Sequence, residues 1–561
     1  MITGDGNSDL TAQAEVSQHY LSVGERVVHY RRAGRGPALI LIHQSPKDSR
    51  ELVPLMQLLA TEFTVYAPDT PGYGLSDPLL SPDRYPGIDL YVDALVRFID
   101  ALQLPRPGIF GTHSGAILGV RLAARYPDKI TSLVANGVLI NSAEERNSFC
   151  ENYFDHFPAQ WDGSHLARLW SRIRDQHCFY PWYSRSTQTR MHWPATVLEM
   201  DASVMELLQA GEDYRGAYRA VLDYALADDL PRLTVPTQIV VAKSDALSRY
   251  LEYLPPLPAN VTTNLVDDFG DIPPAVRQFF QSHTPLQSAP EKLIPNTDGY
   301  GLHKTFVTVP WGQFRLQWQA AKSTLKPLLI LHDVGSSSDV LAPMLATLAN
   351  KRRAILPDLP GHGGTTICYE SSQQTATALL QLLDALSCEQ VDIIAVGLSA
   401  SYLLALRQKN PERLGKIIVV NPEPSNPGST CPAAESAPPD LTPDIAGSHL
   451  QRAWFYLRDR ALFYPWHLHE PSSLKIAAQP PSADTLQVEL IALLQARQGL
   501  AASVASAQRE WQNHFAQLHD TDQESYFAAT VCNPAHAQLP GVITLPEERY
   551  RWGMALLDLL D

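Results

Sequence analysis

The sequence contains a long internal repeat, and this repeat limits the folds open to the chain. Residues 163–182, GSHLARLWSRIRDQHCFYPW, return as GSHLQRAWFYLRDRALFYPW at residues 447–466, and twelve of the twenty positions are identical. APDTPGYG at residues 67–74 returns as LPDLPGHG at residues 356–363. The copies lie 284 and 289 residues apart, which is the spacing of whole domains rather than of solenoid units. The 561 residues are therefore predicted to form two copies of one fold.

The predicted domains are residues 1–285 and 302–561, joined by a linker at 286–301. The joining stretch TPLQSAPEKLIPNTDGYG is polar and contains several prolines and glycines, which is typical of linkers. We expect the two domains to pair with each other within the chain.

Each half alternates short apolar runs with longer segments of helical periodicity. This pattern predicts an α/β fold with a mostly parallel sheet flanked by helices. The predicted strands are Ala38–Ile42, Thr64–Ala67, Gly108–Gly111, Ile130–Ala135 and Thr237–Ala242, then Leu328–Leu331, Ala354–Leu356, Asp392–Val396, Lys416–Val420 and Phe527–Val531. The repeated Gly-Ser-His-Leu segment lies in a helical insertion in each half, at about 141–230 and 422–520. Such an insertion would lie over the strand ends as a lid.

A serine stands at a predicted strand-to-helix junction in each half. The segments are GTHSGA at residues 111–116 and VGLSAS at residues 396–401. Small residues around such a serine allow a sharp turn that exposes its hydroxyl, and the following helix N-terminus favours an oxyanion. The segments HQSP at 43–46, HDVG at 332–335 and the two Asp-x-Pro-Gly-x-Gly segments occur in the same order in each half. Together these motifs resemble the α/β-hydrolase superfamily, and the resemblance covers both halves.

The resemblance implies a set of catalytic residues in the first half. Ser114 would be the nucleophile, Asp245 after the strand Thr237–Ala242 would be the triad acid, and the backbone N–H groups of Ser45 and Gly115 would form the oxyanion hole. The alternatives are a tight turn kept for packing at Ser114 and a surface turn at Asp245. A possible second site is Ser399 with His449, although Asn533 stands where the second half would carry its acid.

The triad histidine is missing from its usual place, because no histidine occurs in the stretches 265–271 and 542–548, where the family carries it. Removing the base from a serine hydrolase costs about 10⁶ in rate. The substitute we predict is His165, at the start of the lid helix, with His449 as its counterpart. The alternative for both is a structural histidine that packs or caps the helix. His113 and His43 are weaker candidates, since the side chain of His113 should point away from the Ser114 hydroxyl.

The lid segment also offers substrate-binding residues. Arg168, Trp170, Tyr180 and Trp182 could bind an aromatic or carboxylated substrate by stacking and through a guanidinium fork. The alternative is that these side chains pack the lid.

The function predicted from these residues is hydrolysis of a small-molecule carboxylic ester, thioester or lactone, or of an activated C–C bond, through Ser114. The second domain would support the first or be degenerate. Serines at both turns disfavour the dehalogenase and epoxide-hydrolase branches of the superfamily, which use a carboxylate there. The alternatives are a lyase-type enzyme of the same fold and an inactive binding or scaffold protein.

Charge and composition limit the kinds of partner that we expect the protein to bind. The formal net charge of −15 disfavours nucleic acid and anionic membranes as partners. The six cysteines are scattered without a C-x-x-C pair, so neither a metal site nor a disulfide framework is predicted, and no cofactor is required. No signal-peptide pattern opens the sequence, and we expect a cytoplasmic protein.

Overall fold

The computed structural model describes most of the chain in two compact units. The first unit comprises Met1–Phe157 and Trp170–Pro295, and the second comprises Pro158–Leu169 and Asn296–Asp561. The residues described are 14–191, 195–284, 287–290, 301–321, 323–348, 351–366, 371–422, 437–476, 479–514, 525–530, 542–546 and 548–560. Most of the predicted linker and Asn533 lie outside these ranges.

The first unit is built on one sheet of eight strands. The strands are β1 Ser17–Val23, β2 Arg26–Ala33, β3 Ala38–Ile42, β4 Thr64–Pro68, β5 Gly108–Thr112, β6 Leu133–Asn136, β7 Thr237–Ala242 and β8 Val261–Val266. The helices are α1 Val53–Leu59, α2 Ile88–Ala101, α3 Ser114–Arg125, α4 Ala143–Asn152, α5 Ser164–Cys178, α6 Val197–Ala210, α7 Tyr214–Leu222 and α8 Ile272–His283. Helices α4 to α7 form the predicted helical insertion, between β6 and β7.

The sheet order is β1-β2-β4-β3-β5-β6-β7-β8. The pairs β1–β2 and β2–β4 are antiparallel, and every other pair is parallel. Every residue of β3, β4, β5 and β6 is buried, as expected for parallel strands covered by helices on both faces. The parallel order brings the carboxyl ends of β3, β5 and β7 to one edge of the sheet, where sites of such folds are built.

The second unit repeats this architecture. Its strands are β9 Gly301–Val309, β10 Gly312–Ala320, β11 Leu328–Leu331, β12 Ala354–Pro357, β13 Val391–Val396, β14 Leu414–Val420, β15 Ser525–Thr530 and β16 Ile543–Leu545. The helices are α9 Ser338–Thr347, α10 Ser372–Ala385, α11 Ala400–Lys409, α12 Ser448–Leu462, α13 Ala483–Ala496, α14 Leu500–His514 and α15 Trp552–Leu560. The sheet order β9-β10-β12-β11-β13-β14-β15-β16 is that of the first sheet. The predicted α/β fold and its duplication are confirmed.

The short segment Pro158–Leu169 belongs to the second unit, although it precedes the rest of α5. Trp454 of α12 is fully buried, and its indole N–H donates to the carbonyl oxygen of Trp161 at 3.0 Å. A Cβ at Gly163 would lie 2.7 Å from the Trp454 ring, so only glycine allows this approach. This contact gives the glycine and the tryptophan of the repeated segment a packing role in the second unit.

No helix in the described ranges is both long enough and apolar enough to cross a membrane.

Candidate active site

The turn between β5 and α3 is the sharpest feature at the carboxyl edge of the first sheet. Its backbone strain lies at His113, which has φ 47° and ψ −109°. Gly111 and Gly115 flank this residue symmetrically, and a Cβ on Gly111 would collide with the backbone of Gly115. The turn is therefore centred on His113, one residue before Ser114.

The imidazole of His113 contacts the predicted acid. Its Nε2 lies 2.8 Å from Oδ2 of Asp245, and its Nδ1 lies 3.0 Å from Oε1 of Gln44. Asp245 follows the end of β7, and its second oxygen accepts the backbone N–H of Leu247 at 2.8 Å. The His113 side chain is 32% exposed, whereas Asp245 is buried. The structure thus joins Asp245 to a histidine that the sequence offered only as a weaker candidate.

The two partners shift each other's titration. Burial works against a charged imidazole, but the charge and hydrogen bond of Asp245 outweigh burial, so the pKa of His113 is raised above its ordinary value of 6.5. Burial would likewise raise the pKa of Asp245, but His113 outweighs it and lowers that pKa below its ordinary value of 3.8. The pair therefore favours a carboxylate beside an imidazolium.

Ser114, the predicted nucleophile, makes its hydrogen bonds with Ser45. The Ser114 hydroxyl accepts the Ser45 N–H at 2.5 Å and donates to the Ser45 hydroxyl at 3.1 Å. Ser114 and Gly115 begin α3, where the first backbone N–H groups have no partner within the helix. The predicted oxyanion donor Ser45 thus lies beside the elbow, with its N–H directed at the Ser114 oxygen. The role of Ser114 as nucleophile stays a prediction.

His165 and its counterpart His449 occupy equivalent buried positions in the second unit. Nδ1 of each ring accepts the backbone N–H of the residue five positions earlier, Gln160 at 3.1 Å and Asp444 at 3.4 Å. Nε2 of His165 lies 3.0 Å from Oε1 of Gln487. Both ring nitrogens of His165 are therefore engaged in contacts that hold the start of its helix, which is the structural alternative stated for it above. Its role as a base stays a prediction.

The predicted substrate-binding residues have different surroundings. Arg168 is exposed, and Trp170 is buried. The Trp182 indole N–H donates to the Tyr153 carbonyl oxygen at 3.0 Å. The Tyr180 ring lies under the guanidinium of Arg249, 5.6 Å from the ring centroid. Trp182 and Tyr180 thus belong to the aromatic packing of the insertion, and their contact with substrate stays a prediction.

The second unit has a glycine where the first unit has His113. This residue, Gly397, has φ 59°. The carboxylate of Asp333 accepts the backbone N–H groups of Val334 at 2.8 Å and Leu398 at 2.9 Å. Its other oxygen pairs with Arg460 at 2.8 Å. Asp333 thus fills the space that a side chain at position 397 would need.

Ser399 is fully buried in the second unit. Its hydroxyl donates to the carbonyl oxygens of Leu331 at 3.1 Å and Val396 at 2.8 Å. These contacts tie the start of α11 to the ends of β11 and β13. Among the described residues, the hydroxyl of Ser399 in the predicted second site therefore hydrogen-bonds only to carbonyl oxygens.

Three residues of the site were not predicted, namely Gln44, Gly137 and Glu51. The carboxylate of Glu51 accepts hydrogen bonds from the backbone and side-chain N–H groups of Gln44. Gly137 has φ 69°, and a Cβ there would lie 2.6 Å from the His113 ring. The sequence carried one signal for this geometry, because the pattern Gly-x-His-x-Gly brackets His113 rather than Ser114. Within the described ranges, no cluster of three or more histidine, cysteine or acidic residues is arranged to bind a metal.

Both halves match family models of the same superfamily. Residues 37–273 match the α/β-hydrolase fold model, and residues 328–548 match the α/β-hydrolase family model. Together the two matches extend over most of both units.

Curated relatives match a part of the chain. A 2-(acetamidomethylene)succinate hydrolase from Mesorhizobium japonicum is 32% identical over 21% of this chain and 43% of its own length. A haloalkane dehalogenase from Mycolicibacterium paratuberculosis is 34% identical over 22% of this chain and 43% of its own length. This chain thus spans less than half the length of these relatives.

Solved structures align with about half of the chain. The crystal structure of an enol-lactonase from Burkholderia xenovorans LB400 aligns over 47% of this chain and 99% of its own, with 19% identity and a TM-score of 0.36. The crystal structure of an E-2-(acetamidomethylene)succinate hydrolase aligns over 48% of this chain and 100% of its own, with 21% identity and a TM-score of 0.36.

Proposed function

The chain belongs to the α/β-hydrolase superfamily, as two tandem domains, and from this premise we propose that it hydrolyses an ester-like bond in the first unit through the pair His113–Asp245. The observation that carries the proposal is the 2.8 Å contact between His113 Nε2 and Asp245 Oδ2 at the strained turn. An imidazole oriented by a carboxylate is the acid–base device of many hydrolytic sites.

The strained turn supports a functional role for His113. A non-glycine residue with a positive φ and a ψ near −109° costs about 1–3 kcal/mol, and such strain persists mainly where function requires it. The imidazole is also the more accessible of the two elbow side chains, since Ser114 is 6% exposed. In this proposal His113 exchanges protons with the substrate and an attacking water. The backbone N–H groups at the start of α3 stabilise the oxyanion, and the Ser45 N–H joins them when it leaves the Ser114 oxygen.

The substrates that the proposal covers are carboxylic esters, thioesters and lactones, with activated C–C bonds as a further class. The second unit supports the first without catalysis of its own. What favours this division is that Gly397 carries no side chain and that Asp333 fills the space that a side chain there would need.

The test measures turnover of the full-length protein on a panel of these four bond types. We expect His113→Ala to lose about 10²–10⁴-fold in kcat/KM on the best substrate. The matched control is His156→Ala, an exposed histidine that pairs with Glu212, and it should keep the parental rate. A parental rate in His113→Ala, or no turnover of any bond type, would overturn the proposal.

A fluorophosphonate probe separates His113 from the predicted nucleophile Ser114. Such probes label activated serines. We therefore expect Ser114→Ala to leave any labelling unchanged. We also expect Ser114→Ala to lose less turnover than His113→Ala. Labelling that disappears in Ser114→Ala would instead establish Ser114 as the nucleophile. In that case the effect of His165→Ala on labelling would test His165 as its base.

A further inference from the structure

The side-chain amide of Gln44 has a fixed orientation. Its Nε2 donates to Oε2 of Glu51 at 2.9 Å, and the backbone N–H of Gln44 donates to Oε1 of Glu51 at 2.6 Å. An ionised carboxylate only accepts hydrogen bonds, so the NH₂ end of the amide must face Glu51. The amide oxygen of Gln44 is thereby left facing the elbow.

This orientation determines the protonation of His113. The Gln44 oxygen lies 3.0 Å from Nδ1 of His113, and the Asp245 carboxylate lies 2.8 Å from Nε2. Both partners accept and neither donates, so each ring nitrogen must carry a proton. Only the imidazolium form of His113 satisfies both contacts, because the neutral ring would place a lone pair against an oxygen.

We propose that Glu51 and Gln44 are positioning residues that hold His113 as an imidazolium, and that the Nδ1 proton is the one delivered to the leaving oxygen of the substrate. The inference rests on the proposed function and names its substrate class: alkyl esters and lactones. Their alkoxide leaving groups are strongly basic and need a proton, whereas thiolates and nitrophenolates leave without one.

The two nitrogens differ in how readily they can change partner. Nε2 is held by a charged carboxylate, and its edge of the ring is covered by Gly137. Nδ1 is held by a neutral amide oxygen, and hydrogen bonds to neutral partners are weaker than those to charged ones. A substrate oxygen can therefore replace the Gln44 oxygen at Nδ1.

The proton transfers balance over one turnover. The Nδ1–H bond breaks and an O–H bond forms on the leaving oxygen as the C–O bond of the ester breaks. Water supplies the hydroxyl of the new carboxylic acid, and the proton it loses returns to Nδ1. No electrons are exchanged with another molecule.

The charged groups around His113 are Asp245, Glu51 and Lys47. Burial and the charge of Lys47 oppose the cation, while the charges of Asp245 and Glu51 favour it. Removing the Glu51 charge therefore acts in two ways. It weakens the electrostatic stabilisation of the His113 cation, and it frees the Gln44 amide to turn.

The test is an NMR titration of the full-length protein with ¹⁵N-labelled histidine, with the His113 signals assigned by their loss in His113→Gln. We expect both ring nitrogens of His113 to be protonated at pH 6, with a midpoint above 6.5. Glu51→Gln should lower this midpoint by about 1 pH unit or more. The control Glu25→Gln, in the exposed β1–β2 turn, should leave it unchanged. If Glu51→Gln does not fold, Gln44→Ala, which removes the acceptor, should lower the midpoint in the same direction.

A singly protonated ring at pH 6, or a midpoint that neither variant moves, would overturn the inference while leaving the proposed hydrolysis intact. Kinetics test the proton delivery separately. Glu51→Gln should lower kcat/KM for an ethyl ester by a larger factor than for the p-nitrophenyl ester of the same acid. Equal factors would overturn proton delivery by Nδ1, and absence of hydrolysis in the parent protein would overturn the proposed function instead.

Discussion

The carboxylate of Asp333 accepts the backbone N–H of Leu398 at 2.9 Å, at the turn between β13 and α11. Asp333 directly follows His332, as Gln44 directly follows His43 in the first unit. The residue after this histidine is therefore a neutral amide in the first unit, where it lies beside His113. In the second unit it is a carboxylate, which lies beside Gly397. In the second unit the backbone N–H groups of Val334 and Leu398 thus donate to a side chain of the protein itself.

Asp333→Ala should therefore destabilise the second unit without changing ester hydrolysis. The substitution removes the ion pair with Arg460 and leaves two backbone N–H groups without their acceptor. The expected loss is about 1–3 kcal/mol in the free energy of unfolding, measured by urea titration. The control is Asp384→Ala, which removes an exposed ion pair with Arg413 and should cost less than about 1 kcal/mol. A large loss of turnover in a folded Asp333→Ala protein would show that the second unit takes part in catalysis.

Gly137→Ala should reduce turnover because the new methyl group displaces the His113 ring. The added Cβ would lie 2.6 Å from Cδ2 and 3.0 Å from Nε2 of that ring, so the imidazole must move away from Asp245. A displacement of about 1 Å in an active site can cost about 10²-fold in rate, and we expect a loss of that order in kcat/KM.

Gly24→Ala is the matched control for backbone strain. Gly24 has φ 63°, close to the 69° of Gly137, but nothing lies within 4 Å of a Cβ built there. The positive φ alone should cost both variants about 1–2 kcal/mol of stability, and only Gly137→Ala should also lose activity. Equal kcat/KM values in the two variants would show that the ring of His113 does not need its observed position.

The sequence predicted the fold well because burial leaves a clear pattern. The bounds of β3 and β7 were predicted as observed, since each is a short apolar run between turn residues. The antiparallel strands β1 and β2 were not predicted, because polar or charged residues stand among their buried positions, such as Gln18 in β1 and Arg26 in β2. Partial exposure at a sheet edge weakens the apolar signal.

The site was harder to predict than the fold, because its contacts join distant residues. The presence of an acid at Asp245 was evident from its place after β7, but its partner lies 132 positions away in the sequence. A turn centred on Ser114 and one centred on His113 differ by a single residue in a run that contains glycines on both sides. That difference depends on the positive φ of His113, for which the sequence carried one signal, the Gly-x-His-x-Gly spacing around it.

The His113–Asp245 pair should make stability depend on pH in a defined window. The pKa of His113 is raised in the folded protein, so its contribution is full below 6.5 and is lost as pH rises through the folded pKa. The pKa of Asp245 is lowered, so its contribution is present above 3.8 and is lost as pH falls through the folded pKa. The melting temperature of His113→Gln should thus fall furthest below that of the parent protein between about pH 4 and 6.5.

Calorimetry at pH 5.5 and pH 9 measures this difference. The gap between parent and His113→Gln should be smaller at pH 9, because the contribution of the raised His113 pKa is lost as pH rises through the folded pKa. The control His156→Ala removes an exposed ion pair. Its melting temperature should therefore differ from that of the parent by no more than such a pair contributes at pH 5.5. A gap of equal size at both pH values would contradict the imidazolium–carboxylate pair.

Glu206 on α6 is a buried carboxyl group whose Oε2 has no hydrogen-bond partner among the residues that the structure describes. Burial, followed by the charge of Asp48, raises its pKa to about 8. The ordinary pKa of 4.5 applies in the unfolded chain, so ionisation above that pH opposes folding, and the cost grows until about pH 8. Glu206→Gln removes this cost, and its stability relative to the parent should rise between pH 5 and pH 8.5 by a few kcal/mol at most.

Urea titrations of the parent and of Glu206→Gln at the two pH values measure this change directly. The control is Glu252→Gln, because Glu252 is exposed and its removal should leave the pH dependence of unfolding as it is in the parent. The direction of the effect identifies its cause. A buried carboxyl group without a partner gives a variant that gains stability as pH rises, whereas a carboxylate held by Lys47 or Arg50 would give a variant that loses it.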